Sequence, residues 1–170
     1  MEYKKNNQVK ILSLGKIDYS KCVDLQKKLQ KEIIDIKLFN RKNNLNKLTP
    51  NYLMIVEHDH VYTLGKSGKS ENLLYSLSEL KSKNIQFHET SRGGDITYHG
   101  PGQLVIYPIL DLENYFTDIH KYLRFLELAV INTLKDLNIH SSNNPNKTGV
   151  WLDVGKTSER HICAMGVKVS

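Results

Sequence analysis

The residues best suited to chemistry lie in one run, Ser91-Arg92-Gly93-Gly94-Asp95-Ile96-Thr97-Tyr98-His99-Gly100-Pro101-Gly102-Gln103, which holds four of the chain's 10 glycines. A glycine removes a Cβ, permits positive φ and lets a ligand or another backbone come close. One or two serve an ordinary turn. Two clusters bracketing a four-residue strand describe a surface built to lie against something. Alternation along that strand sets Ile96 and Tyr98 on one face and Thr97 and His99 on the other. One face is expected to bury in the core while the other offers a hydroxyl and an imidazole. Arg92, ahead of the glycine pair, is a candidate anchor for a carboxylate or phosphate. A plain hairpin explains Gly100-Pro101-Gly102 but not Arg92-Gly93-Gly94 or His99, and this favours a binding site.

Other chemistry-bearing residues are less well set. Glu57-His58-Asp59-His60 places two histidines beside two carboxylates. No third ligand follows at metal-site spacing, so a polar turn between two strands is expected and no metal site. Cys22 and Cys163 are far apart and belong to no CxxC pair, which reads as two free thiols. Cys22 sits on an apolar helix face and is expected in the core.

The elements that must position these residues alternate along the chain. Residues 9–14 read as a first strand. Asp18 can cap a helix beginning near Tyr19, with Cys22, Leu25, Leu29, Ile33 and Ile36 on one face. Residues 40–47 are polar and read as a loop. Strands are expected over 52–57, 61–64 and 85–89, with a short helix over 77–81. Residues 104–112 form a near-continuous apolar strand interrupted by Pro108, which must lie at an edge or a bulge because proline cannot donate to the ladder. Thr117 or Asp118 can cap a second long helix whose stripe of Tyr122, Phe125, Leu126, Ala129, Val130, Thr133, Leu134 and Leu137 is expected in the core. Residues 141–146 read as a turn-forming loop. Three short β segments follow over 150–154, 160–164 and 166–169. Strands and helices mix without repeats or a break in composition, which predicts one α/β or α+β domain.

The 170 residues are 39% hydrophobic and 25% charged, an ordinary globular composition. No apolar run reaches the roughly 20 residues a membrane span needs. Met1 to Lys5 carry lysines without an apolar block behind them, so no secretory signal is read and the cytoplasm is the default. The net charge of +6 and pI near 9.2 come from scattered lysines. No basic stripe interleaved with aromatics is present, so neither nucleic acid nor membrane is expected as a partner.

The run from Arg92 through Val105, continuing through Tyr107-Pro108-Ile109 to Asp111-Leu112, resembles the signature of bacterial octanoyltransferases. Two other stretches agree: Glu57-His58 with Val61-Tyr62-Thr63-Leu64-Gly65, and Thr148-Gly149-Val150-Trp151 followed by Ile162-Cys163-Ala164-Met165-Gly166-Val167. The resemblance covers the chain from about Tyr52 onward and, more loosely, the first helix.

The resemblance implies a mixed β-sheet flanked by helices, like the catalytic domains of biotin and lipoate protein ligases. It implies transfer of an octanoyl group from octanoyl-acyl carrier protein to a lysine of a lipoyl domain. The acceptors would be 2-oxoacid dehydrogenases and the glycine cleavage H protein. The route is covalent, through a cysteine thioester, and it divides one transfer between two large proteins into two simpler steps. A thioester donor is already activated, so no cofactor, ATP or metal is implied. Carried over by position, the acyl-binding residues are Arg92, Gly93, Gly94, Asp95, Ile96, Thr97, Tyr98 and His99, with Ala164, Met165 and Gly166.

Two departures qualify the match. The family nucleophile is a cysteine in a Pro-Cys-Gly-like setting, and this sequence ends at Ser170 ahead of it. The expectation is therefore one catalytic domain, residues 1–170, incomplete at its C-terminus and inactive alone. Second, the family has a lysine just before the Ile-Cys-Ala-Met-Gly stretch that lowers the nucleophile's pKa. Here that position is His161, flanked by Arg160, and a histidine is charged only part of the time near neutrality. Two alternatives stay open: an ATP-dependent lipoate or biotin ligase, and a non-catalytic remnant that binds an acyl chain or carrier protein.

Overall fold

A computed structural model describes residues 5–169. The N-terminal stretch read above for a signal thus falls almost wholly outside the described residues, as does Ser170. The chain forms two compact units that divide between Tyr115 and Phe116.

In the first unit the order is β1 (Lys10–Lys16), α1 (Tyr19–Asn43), β2 (Tyr52–Glu57), β3 (Val61–Leu64), α2 (Leu77–Ser82), β4 (Gln86–Glu89), β5 (Ile96–His99) and β6 (Val105–Ile109). Strand β2 pairs parallel with β1 and antiparallel with β6. Alternation along β2 turns Tyr52, Met54 and Val56 inward, where Cys22, Leu29 and Ile33 of α1 and Val105 of β6 complete the core. Leu12, Leu14, Leu25, Tyr107 and Ile109 pack around it. Strand β6 is an edge strand, as Pro108 requires. A second sheet has β3 at its centre, parallel to β4 and antiparallel to β5. Residues 58–60 therefore pass from one sheet to the other and close no hairpin.

Helix α1 starts where expected, with the Asp18 carboxylate accepting from Lys21 N at 3.1 Å. It does not end where expected. The loop read over 40–47 is helical through Asn43, and Asn44 then stops the helix in the left-handed conformation at φ 51°. The reason is Asn40, a buried residue whose amide donates to the Lys47 carbonyl at 2.7 Å and accepts from Lys47 N at 3.0 Å. A polar side chain facing inward thus closes the turn from inside the helix. Buried polar groups also join the first sheet to its surroundings. The Asp111 carboxylate accepts from Lys37 at 2.9 Å and from the Thr49 hydroxyl at 2.8 Å.

In the second unit α3 (Ile119–Asp136) is capped by Asp118 and followed by β7 (Ser142–Asn144), β8 (Lys147–Leu152) and β9 (Arg160–Cys163). These strands form an antiparallel sheet with β8 at its centre. Three expectations are corrected here. Residues 141–146 hold a short strand, because Ser142 and Asn143 pair with Trp151 and Val150. Residues 166–169 make no strand. The α3 stripe is not a buried core: Tyr122 is buried, whereas Phe125 and Leu137 are 52% and 65% exposed. The other buried residue of the helix is Glu127. Among the described residues, no helix is long and apolar enough to cross a membrane.

Candidate active site

Arg92 and the glycines around it form a clamped loop. The guanidinium lies 'i'n reach of four acceptors: its Nη2 donates to the Thr63 hydroxyl at 2.7 Å, the Thr63 carbonyl at 2.8 Å and the Asp95 carbonyl at 2.9 Å, while Nη1 donates to the Gly93 carbonyl at 2.9 Å. Nε adds a longer bond to the Thr63 hydroxyl at 3.3 Å. Most of the fixed fork of donors that was expected to anchor a substrate carboxylate or phosphate is engaged by the protein's own oxygens.

Backbone bonds zip the same loop to the end of β3. Lys66 N donates to the Arg92 carbonyl at 3.0 Å, and Gly65 N to that of Asp95 at 3.3 Å. A Cβ on Gly65 would collide with the Gly94 carbonyl and with Arg92, so this approach needs glycine. Gly94 takes φ +89°, a conformation that side chains resist. The Asp95 carboxylate faces its own loop, accepting from Ile96 N at 2.7 Å and from the Asn72 amide.

Beyond this loop, β5 carries the imidazole. The expected division of its faces does not hold: Tyr98 is 41% exposed and bonds through its hydroxyl to His60, while Ile96, Thr97 and His99 are all half-buried. His99 Nδ1–H donates to Gln103 Oε1 at 2.7 Å, which leaves Nε2 as the ring's acceptor. Tyr19 from the start of α1 stacks near His99 with ring centroids 6.5 Å apart, and His58 meets it edge-on at 5.9 Å.

His58 is fully buried, which corrects the reading of residues 57–60 as a plain polar turn. The Ile17 carbonyl, 2.8 Å away, can only accept, so Nδ1 of His58 carries the proton. Nε2 lies within hydrogen-bond reach of the Tyr107 hydroxyl at 3.0 Å. Burial pushes the phenols of Tyr19 and Tyr107 above their ordinary values. It pushes the His99 imidazole below its ordinary value, against the Gln103 bond and with help from His58 and Arg92. The two phenols and the His99 imidazole are thus pushed towards their uncharged forms, beside an arginine already held. Such a wall suits a polar but uncharged group better than an ion.

In the second unit Glu127 of α3 accepts from Gly149 N at 2.8 Å and from Arg124 at 2.7 Å. His161 pairs across β8 and β9 with Trp151, their rings 4.0 Å apart and 6° from parallel. Alternation alone would put His161 and Cys163 on one face. The register slips here, so that Val150 opposes Cys163 while Trp151 opposes His161, and Ile162 is the extra residue of a bulge. Successive residues of β8 face opposite sides, so the bulge sends His161 and Cys163 to opposite faces. Burial pushes the Cys163 thiol up and the His161 imidazole down. Cys22, fully buried, has its thiol pushed up as well. Ala164, Met165 and Gly166 follow β9 without regular structure, and Met165 is the half-buried one.

The structure thus gathers Arg92 to His99 within the first unit and His161 with Ala164 to Gly166 within the second. The pattern of the sequence does not single out Tyr19, Thr63, Tyr107, Glu127 or Trp151 as site residues. Their signal is spatial, except that Thr63, Tyr107 and Trp151 fall within stretches of resemblance. Among the described residues, no group of three or more His, Cys, Asp or Glu is arranged to hold a metal ion.

Comparison with known proteins places these features in context. A model of the lipoyl protein ligase A/B catalytic domain matches residues 19–170, running through both units. An octanoyltransferase from Christiangramia forsetii is 57% identical over 165 residues, covering 97% of this chain and 70% of that protein. One from Flavobacterium johnsoniae is 53% identical, covering 97% of this chain and 71% of its own length. A bipartite lipoate protein ligase from Thermoplasma acidophilum shares the fold with a TM-score of 0.59 at 19% identity, covering 91% of this chain and 53% of that one.

Proposed function

Since this chain belongs to the lipoyl protein ligase A/B catalytic-domain family, among its octanoyltransferases, we propose that it handles an octanoyl thioester in the making of lipoyl proteins. The donor in this reading is octanoyl-acyl carrier protein and the acceptor a lysine of a lipoyl domain, in 2-oxoacid dehydrogenases or the glycine cleavage H protein. A cysteine thiolate attacks the thioester carbonyl, the acyl group moves to its sulfur, and the carrier leaves as a thiol. The acceptor amine then attacks the new thioester, loses a proton, forms the amide and releases the cysteine. Each step exchanges one acyl bond for another, so no redox partner or ATP enters.

The observation that carries this reading is the wall of Tyr19, His99 and Tyr107, each pushed towards its uncharged form, together with the buried His58, beside the clamped glycine loop. Gly93, Gly94 and Thr97 offer the acyl group close backbone approach, and His99 presents Nε2 as an acceptor. Arg92 and Asp95 act through the loop they hold. Ile96 and Tyr98 brace the strand; in the second unit Ala164 and Gly166 leave their backbone open to an acyl group, with the apolar Met165 between them. His161, in the place of the family's lysine, acts as an uncharged proton acceptor near neutrality rather than as a fixed cation.

Neither thiol of these 170 residues suits the nucleophile's role. Both are pushed towards the protonated form, and Cys22 is sealed in the core. The reading therefore expects the chain to bind octanoyl-carrier protein and to produce no acylated lipoyl domain. Mixing the 170-residue protein with octanoyl-carrier protein and an apo lipoyl domain, followed by intact-mass spectrometry, tests the second point. Calorimetry with octanoyl- against apo-carrier protein tests the first. Equal affinity for the two carriers would refute acyl recognition, and acylated product would bring Cys163 back as the nucleophile.

A further inference from the structure

We propose that Trp151 is a positioning residue, an indole plate that holds the His161 imidazole in one pose above the bare backbone of Gly149. The inference deepens the reading above, since it concerns how His161 is held for use.

The geometry begins with the strands. Lys147 lies over the Trp151 ring and Gly149 lies against the His161 ring, and the Ile162 bulge turns His161 towards Trp151 rather than to the face of Cys163. The two rings lie 6° from parallel with centroids 4.0 Å apart, a full-face stack. Gly149 supplies the floor: a Cβ there would collide with His161 Nε2 and with the Cys163 carbonyl. That floor is itself fixed, because Gly149 N donates at 2.8 Å to Glu127, a glutamate only 1% exposed. Lys147 braces the plate, with Nζ 4.6 Å from the indole centroid and 2.8 Å from Glu159. Glu159 is anchored in turn by Gly155 N at 3.0 Å.

A histidine on an open hairpin turns freely about its side-chain bonds. This one has an aromatic wall on one side and a backbone with no side chain beneath it.

The charged and titratable groups facing the stack are few. Lys147 on β8 disfavours a second positive charge. Glu127 of α3 is occupied by Arg124 and Gly149 N, and Glu159 by Lys147. Arg160 points to Asp153 at 3.4 Å, and the Cys163 thiol lies on the other face. His161 is exposed as a residue, but shielding of part of its ring pushes the imidazole below its ordinary value, with Lys147 adding to this and the Cys163 backbone opposing. An uncharged ring fixed in place is the form that can accept a proton.

The test uses the chain's single tryptophan, since all indole emission reports on this stack. A protonated imidazole in face contact quenches an indole. Emission from the 170-residue protein should fall as the pH drops below about 6.5. Its midpoint should match that of the His161 ring protons followed by NMR. His161→Gln should abolish the fall, and Lys147→Gln should move the midpoint upward. Trp151→Leu should raise the His161 midpoint towards the ordinary value and average its ring signals, while Trp151→Phe should largely restore them. Emission unchanged by His161→Gln, or an identical His161 titration in Trp151→Leu and Lys147→Gln, would overturn the proposal. Failure of the functional reading looks different: octanoyl- and apo-carrier protein would bind equally while the fluorescence and NMR responses remained.

Discussion

Arg92 is folded back onto Thr63, its guanidinium bonding both the hydroxyl and the carbonyl of that one residue, at 2.7 and 2.8 Å. A charged side chain in a glycine-rich loop invites assignment to a ligand. Here it serves the loop, tying the start of the glycine run to β3 so that the backbone of residues 92–95 keeps one shape.

Arg92→Lys keeps the charge and loses the fork, because one ammonium cannot reach Thr63, Gly93 and Asp95 together. The expected cost is about 2 kcal/mol, the range for hydrogen bonds to charged groups. Urea unfolding of the variant measures it. Unchanged stability with lost octanoyl-carrier binding would instead mark Arg92 as a direct ligand.

Gly65→Ala tests the close approach from the other side. The added methyl meets the Gly94 carbonyl and Arg92, and backbone must yield. A loss of about 1–3 kcal/mol is expected from overpacking of this kind. Amide exchange should rise over residues 92–95 in the same variant. Gly155→Ala is the control for a crowding effect, since a Cβ there meets nothing within 4 Å and only its φ of +79° resists substitution.

The histidines give stability a pH dependence of definite sign. The His99 and His161 imidazoles are both pushed below the ordinary value in the folded protein. Below that value the unfolded chain takes up protons that the folded one refuses, so stability falls as the pH drops through and under about 6.5. Above it their contribution is complete. Urea midpoints between pH 8 and 5 should decline more shallowly in His99→Gln than in the parent protein. A parallel decline would remove His99 as a source.

Glu127→Ala should be the costliest change in the second unit. It strands Gly149 N and the Arg124 guanidinium around a space where a carboxylate stood, a loss of about 2–4 kcal/mol. Glu127→Gln keeps the acceptor for Gly149 and should cost less. Thermal unfolding separates the two variants, and equal costs would locate the effect in the lost charge alone.

Alkylation of the native protein should be slow at both cysteines, with thiolate disfavoured at each, and slowest at Cys22, which has no exposed surface. Mass spectrometry of iodoacetamide-treated protein before and after unfolding counts the protected thiols. Rapid modification of native Cys163 would contradict its placement opposite Val150.

Much of the architecture is readable along the chain because it depends on neighbours in sequence. The strands over 52–57 and 61–64, the Asp18 and Asp118 caps and the edge position forced by Pro108 all rest on local periodicity or backbone chemistry. Errors arise where a distant or inward-facing group decides. Asn40 carries α1 past its polar stretch by closing onto Lys47. Glu127 is buried amid an apolar stripe because Gly149, 22 residues away, offers it a backbone N–H.

What the sequence determined unaided is the glycine-rich run with His99, the order of strands and helices as far as α3, and the motifs that carry the family resemblance. These follow from residue type and spacing, which need no third dimension. The tertiary structure alone decided that Arg92 faces Thr63, that His58 is buried between Ile17 and Tyr107, and that a bulge parts His161 from Cys163. Each depends on which atoms meet across long stretches of chain, and hydrogen-bond partners and strand register are set by packing rather than by sequence proximity.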